Sequence, residues 1–311
     1  MNRRLLILPA VALASALALT GCTTSGTPDT PASDSGAITV VASTNVYGDI
    51  ASQIGGDLVS VSSIIDSADK DPHEYEADAR TQLSLSKADV VIENGGGYDD
   101  FVDTMLSASG NEDAAVLNVA DISGYDQNPA DGEFNEHLWY DFPTIATLAK
   151  DIATEFATLD PDNTATYDAN AETFIAQIED LQAKEAQIKA DHGGTGVAIT
   201  EPVPLYMLEA SGLVNKTPEQ FSEAVEQGTD VPANVLAEVT DMFGTGSIGV
   251  LVYNEQTSGA QTDAVLKAAE SNDVPVVSVA EILPEGTDYI SWMTSNLDAL
   301  TAALTASASG K

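Results

Sequence analysis

The chain has very little of several residue types, and each shortage excludes a class of protein. A single cysteine, Cys22, excludes an intramolecular disulfide framework. Only 11 Lys and Arg stand against 49 Asp and Glu, so the formal net charge is −38. This charge makes nucleic acid and anionic membrane surfaces poor partners of the folded part, and it favours cations. No Gly-x-Ser-x-Gly motif is present, which argues against a serine nucleophile, and the sole cysteine is expected to carry lipid, which argues against a cysteine nucleophile.

The first 22 residues have the features of an exported lipoprotein leader. Arg3 and Arg4 precede an apolar run, Leu5 to Leu19, that is too short to span a bilayer. The tetrapeptide Leu19-Thr20-Gly21-Cys22 resembles a bacterial lipobox, which implies cleavage before the cysteine and lipid attachment to it. We therefore expect a signal peptide over residues 1–21. We also expect an extracytoplasmic protein, lipid-anchored to the bacterial cell membrane.

Beyond this leader, the length and periodicity of the chain predict an α/β protein of two lobes. Short β-branched runs such as Ile38–Ser43 alternate with helical segments, which is typical of parallel sheets flanked by helices. Residues 165–190 keep helical periodicity without Gly or Pro, so we expect one long, rigid helix between the lobes. The expected division is a flexible tether over 22–37, an N-terminal lobe over 38–160, a linking helix over 161–192 and a C-terminal lobe over 193–311.

A few polar residues carry local predictions. Asn45 is expected to cap the first helix, and Asp141 to cap a helix with Pro143 in its first turn. Residues 254–256, Asn-Glu-Gln, follow a strand of the second lobe. They are expected either to face the cleft between the lobes or to form a plain loop.

Four possible metal ligands lie where open α/β sheets bind ligands, outside the carboxyl ends of strands. His73 and His137 follow strands of the first half, and Glu201 and Glu281 follow strands of the second. Pro72 stiffens the loop that presents His73. Two imidazoles and two carboxylates suit Mn²⁺, Fe²⁺ or Zn²⁺. Since neutral imidazole binds metal, affinity should fall as the pH drops through the histidine range.

The motifs around the two histidines resemble those of the solute-binding proteins of zinc and manganese ABC importers, the ZnuA- and TroA-like proteins. Asp71-Pro72-His73-Glu74-Tyr75 matches the family's Asp-Pro-His-x-Tyr. Asn135-Glu136-His137-Leu138-Trp139-Tyr140-Asp141 matches Asn-Pro-His-x-Trp-x-Asp, except that Glu replaces the usual Pro. The resemblance covers nearly the whole mature chain. It implies two lobes joined by one rigid helix.

The same resemblance implies a set of metal ligands. His73 and His137 come from the first lobe, and Glu201 takes the third position, where zinc members often have His and manganese members Glu. Glu281 best matches the fourth position, with Asp288 as the alternative. This set favours manganese or iron, although the general affinity order favours Zn²⁺ over Mn²⁺.

The resemblance further implies a function without catalysis. The protein is expected to capture manganese or zinc, with iron as a further candidate, and to deliver it as a monomer to an ABC-type permease in the membrane. The rigid helix predicts little lobe movement on binding. Two alternatives stay open. One is an extracellular metal-dependent hydrolase, although His-Glu-x-x-His is absent and four protein ligands leave little room for water. The other is a surface adhesin or a binder of a non-metal solute.

Overall fold

The computed structural model describes residues 36–67, 75, 78–130 and 132–309. The expected signal peptide, the lipid site at Cys22, nearly all of the tether and His73 lie outside these ranges. Residues 37–311 form one unit, and the two sheets described below both belong to it.

Eight short strands lie in the described ranges, and they form two sheets of four. The strands are β1 (Ile38–Thr44), β2 (Val59–Ile65), β3 (Val90–Glu93), β4 (Ala115–Asn118), β5 (Gly196–Ile199), β6 (Val214–Asn215), β7 (Val250–Asn254) and β8 (Val276–Val279). The strand orders are β2-β1-β3-β4 and β6-β5-β7-β8, and all neighbours are parallel. In the first sheet Val40 of β1 pairs with Val61 on one side and Val90 on the other. The two halves therefore share one topology, with a reversal of strand order beside β1 and beside β5.

Eleven α-helices connect or cover these strands within the described ranges. They are α1 (Asn45–Gly55), α2 (Ala79–Leu85), α3 (Phe101–Ser109), α4 (Val119–Ser123), α5 (Phe142–Leu159), α6 (Thr164–His192), α7 (Leu205–Ala210), α8 (Glu219–Glu226), α9 (Ala233–Met242), α10 (Ala260–Ser271) and α11 (Tyr289–Ser309). None of these helices has both the length and the apolar character that crossing a bilayer requires.

The predicted linking helix is present as α6, which is 29 residues long. It packs against α1 and α5 of the first half and against α7 and α11 of the second. Its buried side chains recur at helical spacing from Tyr167 to Ile188. The parallel sheets and the long helix confirm the predicted α/β class with two lobes. The lobe boundaries at residues 160 and 193 stay a prediction.

The two lobes share an apolar core. One buried cluster contains Val40 and Ile92 of the first sheet together with Val197 and Val252 of the second. Ile178 of α6 belongs to the same cluster. Separating the lobes would therefore expose apolar surface, which is unfavourable in water.

Hydrogen bonds also cross between the lobes. The Tyr140 hydroxyl donates to the Ala280 carbonyl at 2.9 Å, and the Tyr289 hydroxyl donates to the Trp139 carbonyl at 2.6 Å. These bonds and the shared core hold one relative position of the two sheets.

Of the two predicted helix caps, one is confirmed and one is wrong. Asp141 begins α5, because its carboxylate accepts hydrogen bonds from the Thr144 amide at 3.2 Å and the Thr144 hydroxyl at 2.5 Å. Asn45 does not cap α1 but is its first residue. Its side-chain amide donates to the Leu283 carbonyl at 2.9 Å and accepts from the Leu283 amide at 3.0 Å. A long-range contact thus takes the groups that a cap would use.

Candidate metal centre

Two of the predicted ligands meet at the carboxyl ends of the second sheet. Glu201 follows β5 and Glu281 follows β8, and both side chains are buried. Asn254, the last residue of β7, lies between them. Its Nδ2 donates to Glu201 Oε2 at 2.5 Å and to Glu281 Oε1 at 2.8 Å. Asn254 therefore lies at the candidate site, in agreement with the first of the two expectations for residues 254–256.

Further hydrogen bonds hold Glu201 and Glu281 in place. The Thr257 hydroxyl donates to Glu201 Oε2 at 2.5 Å. The backbone amide of Glu281 donates to the side-chain oxygen of Gln256 at 2.5 Å, which joins the segment after β8 to the segment after β7. The Tyr98 hydroxyl reaches Glu281 Oε2 from the first lobe at 3.5 Å. Such outer contacts orient the ligands of a metal site and raise its affinity.

His137 is fully buried just before the 3₁₀ turn Leu138–Tyr140, and its tautomer follows from its contacts. Asn135 Oδ1 accepts the backbone N–H of His137 at 3.2 Å, so this atom is an oxygen. His137 Nδ1 lies 2.8 Å from the same oxygen and must therefore donate to it. In neutral imidazole the lone pair is then on Nε2, the form that binds a metal.

The structure places a residue at His137 that the sequence analysis did not single out. Glu226 is the last residue of α8, and its Oε1 lies 3.6 Å from His137 Nε2. Within the described part of the chain, Glu136, His137 and Glu226 are the one group of three potential ligands whose atoms lie within 4.8 Å of one another. No sequence feature predicts this contact, because Glu226 resembles any other acid at the end of a helix. Only the packing of α8 brings it to His137.

The acids around His137 share a buried, negatively charged environment. Burial, followed by the nearby carboxylates of Glu136, Glu201 and Glu281, raises the pKa of Glu226 to about 9. Burial also raises the pKa of Glu136 to about 7. Carboxyls in such a site are stabilised either by a proton or by a cation. The residues present therefore fit a divalent ion.

Tyr98, which was not among the predicted site residues, joins the two halves of the site, since its ring lies 6.1 Å from the His137 ring while its hydroxyl bonds to Glu281. Asp288 is at the start of α11, where its carboxylate accepts the backbone amide of Ser291 at 2.8 Å. His73 lies outside the described residues. Tyr75, two positions later, packs in the apolar cluster that contains Ile282, the neighbour of Glu281.

The fold and the site together define a two-lobed α/β binding protein with buried imidazole and carboxylate groups where the lobes meet. The chain belongs to the family described as zinc-uptake complex component A, periplasmic, whose family model matches residues 40–303.

Individual relatives agree with this family. The metal ABC transporter substrate-binding lipoprotein SsaB of Streptococcus sanguinis is 28% identical over 295 residues, which cover 88% of this chain and 91% of SsaB. The manganese ABC transporter substrate-binding lipoprotein scaA of Streptococcus gordonii is 27% identical over 295 residues, which cover 88% of this chain and 90% of scaA. The periplasmic zinc-binding protein TroA of Treponema pallidum has the same fold, with a TM-score of 0.73, 18% identity and coverage of 86% of this chain and 99% of TroA.

Proposed function

We propose that this protein captures a divalent transition metal, manganese or zinc, between its lobes and delivers it to an ABC-type permease. One observation carries the proposal. The Nε2 lone pair of buried His137 faces a carboxylate, and two more buried carboxylates meet at Asn254 nearby. Family membership and the relatives' names as transporter substrate-binding proteins favour this function over a hydrolase.

The proposed ligands are His137, Glu201, Glu281 and, on the strength of its sequence motif, His73. Two neutral imidazoles and two carboxylates balance the charge of one divalent ion. Carboxylate oxygens suit Mn²⁺ and Fe²⁺, whereas Zn²⁺ binds such a mixed set more tightly in the general affinity order. The metal carried in the cell is then decided by availability as well as by the ligands.

The protein is proposed to act outside the cytoplasm as a monomer held to the membrane through lipid on Cys22. The lipobox-like sequence supports this placement, and SsaB and scaA are both named as lipoproteins. Residues 22–37 would then serve as the tether that lets the folded part reach its permease.

Calorimetry and thermal unfolding with Mn²⁺ and Zn²⁺ test the function on protein that starts at residue 23 and has been stripped of metal. We expect about one ion per chain and a gain of about 2.7 kcal/mol at a hundredfold excess over the Kd. His137→Ala should abolish both effects. His192→Ala is the matched control, because His192 is the half-buried last residue of α6, and it should bind as the wild type does. Absence of binding in the wild type refutes the function and favours a non-metal ligand or an adhesin.

A further inference from the structure

Glu226 and His137 already have the separation of two ligands of one ion. Two atoms that each lie about 2.1 Å from one ion are about 3.0 Å apart at an octahedral angle and about 3.4 Å apart at a tetrahedral one. His137 Nε2 and Glu226 Oε1 are 3.6 Å apart. Because Nδ1–H is held by Asn135, the Nε2 atom offers an electron pair to this space. A carboxylate oxygen and an imidazole lone pair that face each other are bridged favourably by a cation.

The position of Glu226 is set by packing and not by a mobile loop. Helix α8, which ends at Glu226, buries Phe221 and Ser222. Phe221 belongs to the same apolar cluster as Val235 of α9 and Leu251 of β7. The helix that carries the carboxylate is therefore anchored in the core beside the second sheet. Such anchoring gives a metal ligand a precise position.

A cavity leads to this carboxylate. It has a volume of about 790 Å³, and Glu133, Glu136, Glu226 and Asp230 are among its lining residues. Thr257, which binds Glu201, lines it too. Among the described residues that line it, every charged side chain is an acid, so the cavity attracts hydrated cations and repels anionic chelates. Glu226 lies where this cavity meets His137.

We infer that Glu226 is a further direct ligand of the captured ion, bound jointly with His137 on the side of the acidic cavity. This inference rests on the proposed function and adds one carboxylate from α8 to its ligand set.

Glu226→Gln is the first test, because it keeps the shape and removes the charged ligand. We expect the Mn²⁺ affinity to fall by more than about tenfold. We also expect the electron paramagnetic resonance spectrum of bound Mn²⁺ to change. Glu223→Gln is the matched control, since Glu223 is a half-buried acid three residues earlier on α8. Glu226→Asp, which keeps the charge on a shorter side chain, should bind with intermediate affinity.

The results separate this inference from the function on which it rests. If the wild type binds Mn²⁺ through His137 while Glu226→Gln and Glu223→Gln bind alike, Glu226 is not a ligand and the proposed function stands. If the wild type binds no metal, both fail. A crystal structure of the wild type with Mn²⁺ decides the matter without any variant. A Glu226 oxygen within about 2.2 Å of the ion supports the inference, and an ion coordinated without Glu226 overturns it.

Discussion

Replacing Asn254 should disturb the candidate metal centre without removing any of its proposed ligands. Its Nδ2 is shared by Glu201 and Glu281, and its Oδ1 accepts the backbone amide of Gln256 at 3.1 Å. Asn254→Ala deletes all three bonds. The backbone amide of residue 254 keeps its bond to the Thr200 hydroxyl, so β7 itself should persist.

The expected loss can be worked from these bonds. A hydrogen bond to a charged group contributes about 1.5–3 kcal/mol to stability. Local rearrangement and entry of water recover part of this, so we expect a net loss of about 3 kcal/mol in the metal-free protein. For a folded part of this size, that loss lowers the Tm by about 5 °C. Because orienting contacts are worth about 10–100-fold in metal affinity, Mn²⁺ binding should weaken by a similar factor.

Thermal unfolding and Mn²⁺ calorimetry measure the two effects. The matched control is Asn272→Ala, since Asn272 is exposed and its side-chain amide donates to the Ala268 carbonyl at 2.8 Å, away from the candidate site. This control should cost less than about 1 kcal/mol and leave the affinity unchanged. If Asn254→Ala and Asn272→Ala behave alike in both assays, Asn254 does not organise the two carboxylates and the reasoning fails.

Three further predictions concern stability and movement. Burial, followed by the charge of Asp141, raises the pKa of Glu185 on α6 to about 8, so its stabilising contribution is complete below about pH 4.5 and is lost as the pH rises through 8. Glu185→Gln should therefore gain stability over the wild type by up to about 1.4 kcal/mol per pH unit across that window in urea titrations, and a constant difference contradicts this. Asp141→Ala removes the cap of α5 and should cost about 1 kcal/mol in chemical denaturation, whereas an unchanged midpoint would show that the cap is dispensable. Because α6 and bonds such as that of Tyr289 to Trp139 join the lobes, small-angle scattering should show little contraction when Mn²⁺ is added, and a large contraction rejects a rigid link.

Much of the fold could be predicted because it depends on local pattern. The β-branched run at Ile38 became β1, and the uninterrupted periodicity after residue 165 became α6. In contrast, β6 was missed, since a strand of two residues such as Val214–Asn215 carries no periodicity. Helix α4, Val119–Ser123, was not predicted either.

The site could be predicted only in part, for a related reason. Glu201 and Glu281 could be predicted to lie together because each follows a strand, and the parallel order of β5, β7 and β8 brings those strand ends together. Asn45 was misassigned because its partner, Leu283, is 238 positions away along the chain. No motif near Glu226 in the sequence indicates its contact with His137.

Composition, periodicity and motif by themselves determined the α/β class, the long helix, the family resemblance and the candidate ligands, because each of these depends on residues that are close along the chain. Only the tertiary structure decided that Asn254 joins Glu201 to Glu281 and that Glu226 faces His137. These contacts depend on how helices and strand ends from distant segments pack, and that arrangement is set by the shared core of the whole molecule.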